Sequence, residues 1–362
     1  MPKLTLKEEF NQATKPLGGR LDLESLPEEV QLGYKVFLAR ARDLGRAAQA
    51  AIPALPKIHF DLVNSSKVNA VAFTRNGRYH IGITYGTLVT LRVLANVMLA
   101  DRRNFVSIGH PEEELTLPTT PGFRADSMWI FANIGTHIPN GQLRREFARN
   151  LVDQALMFLL GHEIAHITLG HVDYYSQSFG IAEAEPLANR SSRLFAGKLD
   201  RQIIELEADR RAAYSRIHSI WTTVDAAKAR NLPWQPSLNS VEGLTYLIFC
   251  GLHLVFEIFS ESNTRNELEV NGYPSPSLRH GVTWSAALNF LARKEPEIGR
   301  PASDTIQRAR FDTQVALLVL LGRPPGSGTP DPSHSLEFNS YLKKMNRRRR
   351  ILKEEFSKYA YE

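Results

Sequence analysis

The run His162-Glu163-Ile164-Ala165-His166 brings together residue types whose spacing could do chemistry. Histidines four residues apart on a helix share one face, a turn from each other. Two imidazole nitrogens can then reach one cation at about 2 Å each. Glu163, one position on, projects beside that cation, where a carboxylate can hold and deprotonate a metal-bound water. The preceding run LVDQALMFLL is apolar enough to bury this helix. Histidine and glutamate inside such a helix need partners, because unpaired buried polar groups are costly. The chemistry expected is hydrolysis by a water activated on Zn2+.

A tetrahedral catalytic zinc takes three protein ligands. In a metzincin the third is a histidine ten residues after the first. Here Gly170 and His171 stand at positions eight and nine, so that register fails. His171 reads as a capping residue or as a partner of a ligand. The better third ligand is downstream, in IIELEADRRAA, where Glu205 and Asp209 share a helical face. Glu205 can ligate, and Asp209 can orient a histidine ligand through its second ring nitrogen. Ala208 and Ala212 lie beside them and allow this helix to approach the metal helix closely, while Glu207 points elsewhere.

These two helices need a frame. Leu26 to Ala51 reads as a helix, and Ile58 to Val63, Ala70 to Phe73 and Tyr79 to Thr84 read as strands. Asn76-Gly77 forms the turn between the last two. Tyr85 to Ala100 returns to helix. Asp101 to Arg124, rich in proline and charge, reads as a loop. From Leu143 the periodicity is helical almost throughout. Breaks fall near Gly170, Asn231 to Pro233, Gly272 to Pro276 and Gly322 to Pro332. The fold class expected is α+β, mostly helical, with a small sheet before the metal helix. The expected division is an N-terminal helical segment over 1–57, a metallopeptidase domain over 58–322 and a basic terminal helix over 333–362.

The single cysteine, Cys250, excludes an internal disulfide and a thiolate zinc site. The formal net charge is +6, and from Tyr341 onward eight basic residues face three acidic ones, which leaves the body nearly neutral. The N-terminus lacks the pattern of a signal peptide. Leu244 to Phe259 is apolar but contains His253 and Glu257, so it reads as a buried helix rather than a stable membrane span. A cytoplasmic protein is the expectation.

HEIAHITLGH followed by ELEADRRAA resembles the gluzincin peptidases of the HtpX and BepA kind, and the Lit phage-exclusion proteases. The resemblance implies His162, His166 and Glu205 as zinc ligands, Glu163 as general base, Asp209 as the aspartate behind a ligand, and His171 as the terminal histidine of the first motif. Two further stretches extend it. Asn69 to Leu88 resembles the strand pair before the family's metal helix. That likeness implies that Asn69, Ala70, Val71 and Ala72 form an edge strand for substrate backbone. YPSPSLR, Tyr273 to Arg279, resembles a loop in which the family has histidine where this chain has Tyr273. Tyr273 and Arg279 are therefore expected beside the oxyanion. The resemblance spans about Asn69 to Arg279. The chain's soluble character points within the group to the Lit-like proteases, which implies a phage-exclusion setting.

The partner expected is a protein or peptide substrate. Two other classes are open to this sequence. One is a binding or regulatory protein with a structural or vestigial metal site, against which an intact Glu163 argues. The other is a nucleic-acid or membrane-surface module acting through Arg347 to Arg350, although a terminal charge run is usually just solvated.

Overall fold

A computed structural model describes residues 4–120, 124, 126–179, 198–229, 240–262, 274–294, 297, 299–322 and 336–361. Three strands, β1 (Ile58–Val63), β2 (Ala70–Arg75) and β3 (Arg78–Thr84), form one sheet in the order β1-β3-β2. β2 and β3 are an antiparallel hairpin turning on Asn76 and Gly77, both at positive φ. β1 runs parallel to β3, so β3 is central and β2 is an edge.

The strands alternate as a sheet covered on both faces requires. Ile58, Phe60, Leu62, Tyr79, Ile81 and Ile83 point into the main core. Val63, Val71 and Phe73 point the other way, onto Phe10 and Ala13 of helix α1 (Leu6–Thr14). α1 lies within the helical segment expected over 1–57 but before the one helix placed there, Leu26 to Ala51. Its start is a capping box in which Thr5 and Glu8 each satisfy the other's backbone N–H. α2 (Glu28–Ala51) packs its Phe37, Leu38 and Ala41 into the main core. Through α1 and α2, residues 4–57 are thus bound to the sheet on one face and to the core on the other.

The remaining helices are α3 (Tyr85–Ala100), α4 (Ser127–Asn133), α5 (Gln142–Thr168), α6 (His171–Phe179), α7 (Lys198–Ala229), α8 (Val241–Ser262), α9 (Pro276–Lys294), α10 (Gly299–Leu320) and α11 (Leu336–Phe356). α5 is the central one, packed by α3, α7 and α8. Gly251 of α8 allows the closest approach, since a Cβ there would lie 2.9 Å from the Ala155 backbone nitrogen. α8 is long and apolar enough to cross a membrane, yet 72% of its apolar window is buried inside the protein. The loop after α3 is pinned by Arg144, fully buried on α5, which donates to the carbonyls of Leu99, Asp101, Asn104, Phe105 and Ile108.

The basic terminal helix departs from expectation. The break at Gly322 to Pro332 does not detach it. Met345, Leu352 and Phe356 of α11 are buried against Tyr175, Ile203, Ile204, Leu206 and Leu278. Arg348 forks onto Asp200 with two contacts of 2.7 Å, and Arg349 pairs with Glu207. Two of the four consecutive arginines are therefore tied to α7 rather than merely solvated. The physical reason is periodicity: the apolar residues of α11 form one stripe that the charge count conceals.

Candidate metal centre

α5 ends where Gly170 takes positive φ, and the chain re-enters helix at His171. A side chain at Gly170 would also meet the C-terminal segment, 2.7 Å from the Tyr359 carbonyl carbon. The resulting bend brings His171 back onto α5, where its Nδ1 lies 3.0 Å from His166 Nδ1. α7 lies against the same turn of α5, with Ala208 and Ala212 buried in the contact. From it Glu205 and Asp209 project toward the two histidines.

His162 Nε2 and His166 Nε2 are 3.0 Å apart. Glu205 Oε2 lies 3.3 Å from His162 Nε2, and Glu205 Oε1 lies 4.0 Å from His166 Nε2. One ligand atom from each of the three fits within a 4.8 Å span, an arrangement that could hold a metal ion. Behind this face, Asp209 Oδ1 contacts His162 Nδ1 at 2.8 Å. Each imidazole thus has its outer nitrogen oriented by a partner and its inner nitrogen turned to the common centre, the usual arrangement around ligating histidines.

The donor set suits zinc: two imidazole nitrogens and a carboxylate, with no sulfur. Glu205 Oε2 is buried and meets His162 Nε2 at 3.3 Å, a long contact that leaves the carboxylate a lone pair at the centre. Such an oxygen costs stability unless a cation or proton meets it.

Exposure is 3% for His162, 6% for Glu163, 4% for His166, 1% for Glu205 and 0% for Asp209, so burial dominates the electrostatics. Burial pushes the Glu163 carboxyl up to about 7, helped by the charges of Glu205 and Asp209 and opposed by His162 and Arg279. At His162 burial opposes a proton, but hydrogen bonds to Asp209 and Glu205 raise its pKa to about 10. Burial, then the neighbouring His162, lowers His166 to about 4. Burial also opposes ionisation of Glu205, yet the His162 hydrogen bond and adjacent positive groups hold it well below the usual carboxylate range. These contacts favour a charge on Glu205 and a proton on His162 rather than on His166. Cation binding there requires that proton to leave.

Arg279 is buried against Asp209. Its Nε and Nη2 fork onto Asp209 at 2.7 Å each, and its guanidinium stacks 4.5 Å from the Phe256 ring centroid. Tyr273 lies outside the described residues. Of the edge-strand residues, Asn69 has its backbone engaged: its N–H points to Thr84 and Thr87 hydroxyls, and its carbonyl accepts from the Thr84 N–H. It anchors the strand and has no free main chain for a substrate. Val71 is buried against α1, while Ala70 and Ala72 stand half-buried on the face toward the main core. β2 itself lies against α5 and α6. Glu207 turns away to Arg210 and Arg349.

Sequence reasoning missed the contact made by the C-terminus. The Tyr361 N–H donates to the Thr168 carbonyl at 2.9 Å, its hydroxyl meets Tyr79 at 2.7 Å, and Tyr79 donates to Asp173. Phe356 packs edge-on against His171, with ring centroids 4.9 Å apart. The signal available was the aromatic sequence Phe356, Tyr359, Tyr361 after the charge run.

Residues 40–188 match the profile of Peptidase family M48. The match holds the sheet and the His162–His166 helix and ends before α7, covering less than half of the chain. It supports an M48-type metallopeptidase without singling out the HtpX, BepA or Lit groups. No curated protein and no solved structure matches the chain.

Proposed function

We propose that this chain is a zinc-dependent endopeptidase of the M48 type, cleaving a protein substrate with Glu163 as general base. The observation that carries the reading is the convergence of His162, His166 and Glu205 on one point of the helix that bears Glu163, within a chain similar to a peptidase family.

His162, His166 and Glu205 would hold the ion. Bound there, zinc supplies Lewis acidity, polarising the scissile carbonyl and acidifying water. Glu163 accepts the attacking water's proton on a carboxylate oxygen and delivers it to the leaving amine nitrogen. Asp209 and His171 hold the imidazole rings in place, and Arg279 holds Asp209. β2 offers an extended peptide a sheet edge, where main-chain pairing gives affinity with little sequence demand. With Arg279 engaged, Tyr273 is the proposed donor to the developing oxyanion. The resemblance to the Lit group extends the proposal to a cytoplasmic protease.

The test is metal analysis of purified protein, followed by proteomic comparison of cells expressing the wild type and Glu163→Gln. About one zinc per chain is expected in both proteins. New protein termini are expected with the wild type alone. Cleavage at an undiminished rate by Glu163→Gln would falsify the assignment of the base.

A further inference from the structure

α7 has two working faces. Glu205, Ala208, Asp209 and Ala212 face α5 and the metal centre. Ile203, Glu207, Arg210, Arg211 and Tyr214 face away, and where α9 and α11 meet them they line a cavity of about 570 Å³. None of His162, Glu163, His166 and Glu205 lines it, but His171 does.

Its walls are basic. Arg210 and Arg349 share Glu207, the one carboxylate among its lining residues. Arg211, Arg293 and Lys353 also line it and have no ion pair among the described residues. Three like charges gathered around one concavity repel each other unless an anion joins them. The rest of the lining is apolar and aromatic: Tyr214, 42% exposed, packs edge-on against Phe290 at 5.2 Å, and Phe356 and Leu352 complete it. The volume falls within the ~300–1,000 Å³ of small-molecule sites. Guanidinium forks match phosphate oxygens, and an exposed tyrosine ring offers a stacking face.

We propose that this cavity binds a small organic phosphate of the nucleotide class, its phosphate held by Arg211, Arg293 and Lys353 and its base against Tyr214. The site is also regulatory, because its wall includes His171, which holds His166 at 3.0 Å. Binding stands apart from the peptidase reading; the regulatory part rests on the metal centre.

The experiment is calorimetric titration of the full chain with AMP, adenosine, inorganic phosphate, anionic lipid vesicles and a short single-stranded oligonucleotide. AMP is expected to bind, with adenosine and phosphate each at least ~10-fold weaker, the loss of about one good contact. Arg211→Ala and Arg293→Ala should each weaken AMP by a similar factor; both side chains are exposed and have no ion pair among the described residues, so the fold does not depend on them. Arg347→Ala, on α11 with Lys353 but outside the cavity, should bind AMP normally, as should Glu163→Gln. AMP affinity should differ at least threefold between zinc-loaded and chelator-treated protein, as linkage between two sites requires. No AMP binding, phosphate binding as tightly as AMP, indifference to both arginine variants, or binding only to vesicles or oligonucleotide would overturn the site. Equal AMP affinity with and without zinc would overturn its regulatory role.

Discussion

Arg279 of α9 donates from Nε and Nη2 to the two carboxylate oxygens of Asp209 on α7, each at 2.7 Å. Asp209 in turn orients His162 on α5. Three helices distant in sequence are locked together at one imidazole, and all three side chains are buried. A pair so deep has weak net value, but breaking it leaves an uncompensated charge.

Asp209→Asn keeps the size of the side chain and removes its charge. It should lower zinc affinity ~10–100-fold, the usual cost of losing an oriented partner of a ligating histidine. It should also destabilise the fold by about 3–5 kcal/mol, because the Arg279 charge is left buried without its counter-ion. Zinc competition and urea unfolding measure the two effects separately. Wild-type zinc affinity in this variant would remove Asp209 from the centre.

Glu205 and Glu207 are two residues apart on α7 and face opposite ways. Glu205→Ala should abolish stoichiometric zinc. Glu207→Ala should retain it and release only Arg210 and Arg349. Elemental analysis of the two purified variants decides, and the reverse pattern would sink the ligand assignment.

A pH dependence follows for chelator-treated protein. The Glu163 carboxyl rises from 4.5 to about 7 on folding. Between those values the native state binds more protons than the unfolded one, so this group's contribution to stability falls as pH rises. The loss amounts to about 3 kcal/mol across that window at most. Glu163→Gln has no such titration. The stability difference, wild type minus variant, should therefore fall from pH 4.5 to 7.5 in paired melting curves. A difference that stays flat would show that Glu163 is not desolvated as the fold places it.

Much of this was legible because the signals were local. A four-residue histidine spacing fixes a shared face, and Asn76-Gly77 fixes a hairpin. The Glu205 and Asp209 pairing was legible from the same periodicity on α7. The Arg279 contact was not, because a fork to a carboxylate seventy positions away has no local pattern. The parallel pairing of β1 with β3 was similarly hidden, and it alone makes β2 an edge. α1 escaped notice because its apolar residues are few, and their value appears only once Val63, Val71 and Phe73 face them. The terminal helix misled for a different reason: charge counting discards position, and position is what buries Leu352 and Phe356.

That helix carries the last prediction. Removing residues 336–362 takes away Met345, Leu352 and Phe356, each buried. At roughly 1.5–3 kcal/mol for each large apolar side chain, the loss is on the order of 5 kcal/mol or more, comparable to the whole stability of many domains. It also uncovers Ile203, Ile204 and Leu206, which flank the proposed ligand Glu205, and strips the Thr168 carbonyl of its Tyr361 donor. The truncated chain should therefore unfold at lower denaturant and bind zinc more weakly. Because the truncation exposes apolar surface that promotes aggregation, the point variant Phe356→Ala keeps the idea testable. That change removes the ring against His171 and should cost about 3–5 kcal/mol, the scale of emptying an aromatic core site. Arg350→Ala, exposed on the same helix, should change stability by no more than about 0.5 kcal/mol. Urea unfolding of the three proteins checks the ranking. If Phe356→Ala were as stable as Arg350→Ala, the terminal helix would be the detached basic tail that its charge suggests.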